Sequence, residues 1–193
     1  THPSIPYPTP MPLVLRTRRS LAGVWNSNSF YPINNLGFKA FLYEVDAGTF
    51  MQLRELYGRK GGGGVGDRVQ LFNFGLGSRT GTSVFKVFPM GFENTVVARK
   101  ENQFDEQVYE YEIAVVDAQM ICRQKKREGC KFSVLSVDVE GADGAVLRNA
   151  HVGGCVFDYI VVETVGEGGD EITNSRYELI KEVAYNKIYK KKG

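Results

Sequence analysis

The sequence predicts an α/β fold, a mostly parallel sheet with helices on both faces, and three observations lead there. Apolar runs of strand length recur at FKAFLYE (38–44), VQLFNFG (69–75), FSVLSVD (132–138) and FDYIVVE (157–163). Their apolar character is nearly continuous, as expected of strands covered on both sides. Between them lie segments of helical periodicity, AGTFMQLRELYG (47–58), VDAQMICRQKKRE (116–128) and ADGAVLRNA (142–150). Strand alternating with helix is the pattern of an α/β sheet.

In chain order, THPSIPYPTPMP (1–12) holds five of the seven prolines, a density that leaves no hydrogen-bonded regular element and predicts an extended arm. Residues 13–193 follow as a single domain, a size that buries a real core. LVLR (13–16) is short, but the sheet needs a central strand and this segment supplies it. GGGGVG (61–66) reads as a loop between helix and strand. SVFKVF (83–88) and YEYEIAVV (109–116) alternate like half-exposed strands with no clear helix between them, which predicts an inserted pair or an edge addition. SRYELIKEVAYNKIYKKK (175–192) reads as a last helix and strand.

Charge and cysteines narrow the function classes. A net charge of +2 with scattered Lys and Arg gives no basic face for nucleic acid. Lys190, Lys191 and Lys192 read as a solvated tail. No apolar run has membrane-spanning length. Cys122, Cys130 and Cys155 show no metal-ligand spacing and predict reduced thiols in an intracellular setting, in a chain that displays no export signal.

Parallel α/β sheets bind ligands outside the carboxyl ends of their strands. Three of the predicted strands end in an acid, Glu44, Asp138 and Glu163. A carboxylate so placed accepts the hydroxyls of a ribose, and Glu44 is the candidate. The glycine loops do not supply a phosphate site. GLGSRTG (75–81) leads into a strand-like segment and reads as a turn, whereas a dinucleotide loop must open a helix. VGEGGDE (165–171) precedes a helix, but Glu167, Asp170 and Glu171 repel phosphate. No GxxxxGK[ST] loop occurs. A ribose-containing ligand without phosphates satisfies these absences, and S-adenosylmethionine is the common one.

LSVDVEGADGAVLRNA followed by FDYIVVET resembles the C-terminal half of the FkbM-type methyltransferases, which show a strand ending in Asp-Val-Glu-Gly-Ala-Glu before a helix. GVWNSNSFYPINNLGFKAFLYEVD (23–46) resembles that family's Gly-Val-x-x-Ser-Asn-Thr segment, its Leu-Gly-Trp and its strand ending in Glu. RVQLFNFGLGSRTG (68–81) resembles its third strand and the turn after it. The likeness runs from about Gly23 to Thr164. It implies a Rossmann-like class I methyltransferase fold, S-adenosylmethionine as methyl donor, and a sugar or small-molecule oxygen as acceptor. Carried over by position, Gly23, Ser27 and Asn28 lie by the methionine end of the cofactor, Glu44 binds the ribose with Asp46 beside it, and the Gly75 to Gly77 turn flanks the adenine. Asp138 and Glu140 face the transferred methyl group or the acceptor. The family enters its first loop through an acid and Gly-Ala-x-Asp-Gly, where this chain has Arg18, Arg19 and Ala22.

Methyl transfer is an in-line displacement at a sulfonium, so the chain must align donor and acceptor and, for a hydroxyl, take up a proton. Asp138 is the expected general base or orienting group, with Glu140 as its partner. Glu140 is equally expected as a helix N-terminal acid held by the dipole. Asp138 and Glu140 have no third metal ligand in the sequence, so no metal is expected. Of the two histidines, His2 lies in the proline arm and His151 follows a helix, where capping is its expected role. Two other readings stand beside the first. One is a catalytically degenerate protein acting as a binding or scaffolding module. The other is a nicotinamide-dependent oxidoreductase, disfavoured by the missing pyrophosphate loop.

Overall fold

The computed structural model describes residues 13–17, 28–58, 68–87, 109–130, 132–139, 142–163, 169–183 and 186–193. The described elements run β1 (Leu13–Thr17), α1 (Phe30–Asn35), β2 (Lys39–Tyr43), α2 (Ala47–Gly58), β3 (Val69–Phe72), β4 (Gly75–Gly77), β5 (Gly81–Val87) and β6 (Tyr109–Asp117). They continue with α3 (Gln119–Glu128), β7 (Ser133–Val137), α4 (Asp143–Val152), β8 (Tyr159–Val162), α5 (Gly169–Arg176), β9 (Tyr177–Val183) and β10 (Asn186–Lys191). Seven strands form one sheet in the order β3-β2-β1-β7-β8-β10-β9, and β4-β6-β5 form a second. The short segment at 13–17 is thus an interior strand, flanked by β2 and β7.

Alternation along β2 explains why its run of apolar residues is unbroken. Phe41 and Tyr43 join one core with Leu135 and Val137 of β7, Ile160 and Val162 of β8, Ile121 of α3, and Val146, Leu147 and Ala150 of α4. Ala40 and Leu42 join the other, with Ile33 of α1 and Tyr57 of α2. Each face of β2 is therefore sealed by its own helices, and at ~25 cal/mol per Å² of buried apolar surface both faces hold the strand in register. Helix ends follow local chemistry. Asp46 caps α2, its Oδ1 accepting from the Thr49 amide and hydroxyl at 2.8 Å each. α3 stops where Gly129 takes a left-handed φ of 61°, with Lys125, Lys126 and Arg127 against the carbonyl end of its dipole.

The expectation of a mostly parallel, Rossmann-like class I methyltransferase sheet is not what forms, because the strand pairing is mixed. β1–β2, β2–β3, β1–β7, β7–β8 and β4–β6 pair parallel, while β8–β10, β9–β10 and β5–β6 pair antiparallel. Connection length accounts for one of the antiparallel pairs. A parallel return needs a crossover of a dozen or more residues, whereas β9 and β10 are separated only by residues 184 and 185, which allow a hairpin alone. This hairpin also corrects the last helix expected near 175–183, where Tyr177–Val183 is a strand. Of the segments 83–88 and 109–116, the described residues 83–87 do pair with 109–113, set apart in the second sheet.

The cysteines are a second correction. Cys122 of α3 and Cys155, after α4, form a disulfide, and only Cys130 is free. The spacing of 33 residues carries no pairing signal, and the bond depends on α3 packing against α4. Burial pushes the Cys130 thiol above its ordinary range, with the Glu128 carboxylate adding to the shift. Among the described residues, no helix is long and apolar enough to cross a membrane. The proline-rich residues 1–12 and the 61–66 glycine loop lie outside the described residues.

Candidate functional site

From β1 the chain steps outward through β2 to β3, and later returns to the other side of β1 as β7 and then β8. The direction of winding reverses between β1 and β7, and in open α/β sheets ligands bind outside the carboxyl ends of the strands at such a point. Register fixes which residues border it. Thr17 stands opposite Tyr43. The offset that pairs Leu15 with Leu135 brings Val137 level with Thr17, and Val137 pairs with Val162. Glu44, Asp138 and Glu163 are the next residues on β2, β7 and β8, so all three acids leave the sheet at one edge and one level. With β1 between them, the Glu44 and Asp138 backbones stand roughly 10 Å apart, two strand spacings. Both side chains are buried, Glu44 at 3% and Asp138 at 5% relative exposure.

The Glu44 turn is held by specific bonds. The Glu44 amide still donates to the Phe72 carbonyl at 2.9 Å, which carries the β2–β3 ladder one residue past the strand. The Glu44 carboxylate Oε1 accepts from the Asp46 amide at 2.9 Å, which fixes the plane of the acid. Asp46 is committed to capping α2. On the outer side, Asn73 Nδ2 donates to the Glu44 carbonyl at 2.8 Å and to the Val45 carbonyl at 3.4 Å.

The Asp138 turn is anchored from α4. Asp143, 2% exposed in the first turn of that helix, accepts from the Val139 amide at 3.3 Å through Oδ1. The Ala142 amide donates to the Val139 carbonyl at 3.3 Å. A carboxylate at this position also meets the positive end of the helix dipole. Deeper in the helix, Asn149 Nδ2 donates to the Gly77 carbonyl at 3.0 Å and to Asp117 Oδ1 at 3.1 Å, tying α4 to the second sheet.

The other expected site residues fall in different places. Asn28 precedes α1 and reaches Ser136 Oγ of β7 and Asn186 Oδ1 of β10, each at 3.4 Å, so it lies across β8 near the Asp138 side of the row. Gly75 and Gly77 belong to β4 rather than to an open turn. A Cβ on Gly75 would meet Val45 Cγ1 at 3.2 Å, and one on Gly77 would meet Val115 Cγ1 at 2.7 Å. Gly75 thus touches the Glu44 turn, whereas Gly77 is held in close packing against β6. Gly23, Ser27 and Glu140 lie outside the described residues. His151 sits in the last turn of α4, where its carbonyl accepts from the Gly154 amide at 2.9 Å.

Beside the Glu44 turn stands an aromatic wall. Tyr43 stacks on Phe72 with ring centroids 4.9 Å apart, and Phe74 tilts against both at 5.6 and 5.5 Å. The Tyr43 hydroxyl donates to Gln124 Oε1 at 2.9 Å, and burial raises its pKa well above the ordinary phenol range.

No family model, curated protein or solved structure matches this chain.

Among the described residues, no group of three or more His, Cys, Asp or Glu side chains gathers to hold a metal ion. The row of acids is a source of negative potential, and the sequence sets Arg16, Arg18 and Arg19 on and directly after β1, the strand between Glu44 and Asp138. Asn73, Asp143 and Asn149 escaped sequence reasoning. Asp143 lies at the start of a segment read only as a helix, and the two asparagines carry no motif.

Proposed function

We propose that the chain transfers a methyl group from S-adenosylmethionine to an oxygen of a sugar or other small metabolite. The observation that carries this reading is the placement of Glu44 and Asp138 in one row, on the two neighbours of β1, at the point where the winding reverses. The resemblance of segments between Gly23 and Thr164 to FkbM-type methyltransferases, which includes these two acids, also supports it. In this reading Glu44 accepts the ribose hydroxyls, its carboxylate held in plane by the Asp46 amide. The acidic edge favours the sulfonium charge, and the row of acids is hostile to a pyrophosphate.

Asp138 then orients the acceptor hydroxyl and takes its proton as the oxygen attacks the methyl carbon in line with the departing thioether. A carboxylate is a weak base for an alcohol, with a pKa near 4 in water, so in this reading proton removal accompanies attack of the oxygen on the methyl carbon instead of preceding it. The reaction needs little else from the protein than alignment and exclusion of water.

Arg18 and Arg19, where a glycine would allow close backbone approach to a cofactor, favour a second reading: a catalytically degenerate chain that serves as a binding or scaffolding module. Calorimetric titration with S-adenosylmethionine and S-adenosylhomocysteine separates the two. Saturable binding of both, lost in Glu44→Ala, supports methyl transfer. A folded chain that takes up neither overturns it.

A further inference from the structure

We propose that Asn73 is a positioning residue for Glu44, an inference that rests on the reading of Glu44 as the ribose ligand. β3 ends at Phe72, whose carbonyl receives the Glu44 amide at 2.9 Å. One residue later the backbone ladder stops, and the side chain of Asn73 continues it. Its Nδ2 carries two hydrogens and meets two successive carbonyls of the partner turn, Glu44 at 2.8 Å and Val45 at 3.4 Å. Those contacts fix the peptide planes on either side of Val45. The second of these planes carries the Asp46 amide, which donates at 2.9 Å to the Glu44 carboxylate. Asn73 therefore orients the amide that orients the acid.

Packing closes the turn from its other side. Gly75 lies so near Val45 that a Cβ there would stand 3.2 Å from Val45 Cγ1, so a side chain at 75 would press on the turn. The residue type at position 73 follows from the chemistry. Two donors are needed and no acceptor charge is tolerated. Aspartate would set a carboxylate oxygen against two carbonyl oxygens, serine would offer one donor, and alanine none. The Asn73 side chain is exposed, so core packing does not account for it.

The test uses the full chain with Asn73→Ala, Asn73→Ser and Asn73→Asp. Hydrogen exchange of the Asp46 amide is followed by NMR alongside calorimetric titration with S-adenosylmethionine. We expect exchange at Asp46 to quicken and affinity to fall about tenfold in Asn73→Ala. Asn73→Ser should recover part of both, and Asn73→Asp should lose the most, while the melting temperature stays within a few degrees of wild type. Unchanged exchange at Asp46 in Asn73→Ala overturns the positioning role. Faster exchange in a chain whose wild type binds no S-adenosylmethionine upholds the positioning and removes the methyl-transfer reading instead.

Discussion

Glu44 and Asp138 leave the sheet in the same row, one on each neighbour of β1, and both are buried where they do so. Neither acid serves the hydrophobic core, and each sits on a turn clamped by side chains from elsewhere in the chain: Asn73 for one and Asp143 for the other.

Asp46 caps α2 through both the amide and the hydroxyl of Thr49. Replacement by alanine leaves a helix N-terminal donor without its acceptor, and costs about 1 kcal/mol of stability in denaturant unfolding. Asparagine retains the acceptor and should recover most of that loss.

Gly77 should tolerate no side chain. The Cβ of Gly77→Ala would lie 2.7 Å from Val115 Cγ1, a stiff β-branched neighbour, so the substitution should destabilise by about 1–3 kcal/mol. Gly81→Ala, which meets open space, is the control. Adding Val115→Ala to Gly77→Ala should restore part of the loss, and a double variant no better than the single one would contradict the packing account.

The Cys122–Cys155 bond closes a separation of 33 residues. In the chain-entropy picture that constraint stabilises by about 3–4 kcal/mol. Urea unfolding with and without a dithiol reductant measures it, and the Cys122→Ala/Cys155→Ala variant should show no dependence on the reductant.

Tyr43 and Tyr177 are both buried, and burial raises both phenols above their ordinary range. For groups whose folded pKa is raised, the unfolded chain loses its protons first, so stability is complete below the unfolded value, near 10. It declines as pH rises through and beyond that value. Alkaline unfolding should therefore begin above about pH 10, and Tyr43→Phe should flatten part of that decline. A stability that is level from pH 9 to 11 would contradict the burial of these side chains.

Much of the fold was readable, for reasons visible in particular elements. The helix at 47–58 appears as α2 with the same bounds, because Asp46 marks its start and its apolar residues keep a helical period. The acids at the strand ends were legible because each follows a buried run directly. β9 was not. Its single buried residue is Tyr177, and Leu179 and Ile180 stand adjacent between charges, so an exposed edge strand presented neither the alternation nor the continuity of a covered one. The antiparallel β8–β10 and β9–β10 pairings come with that hairpin and were equally hidden, whereas the β5–β6 pair was legible in the alternation of 83–88 and 109–116. The disulfide depended on α3 meeting the loop after α4, a tertiary contact without a sequence mark. Asn73 fell inside a run read as strand to residue 75, and its role arises only where β2 and β3 part.

A crystal structure of the chain with S-adenosylhomocysteine bound tests the central claim most directly. The account predicts ribose hydroxyls on the Glu44 carboxylate and the thioether sulfur toward the Asp138 side of β1. Ligand density at any other edge of the sheet, with Glu44 and Asp138 uncontacted, would contradict it.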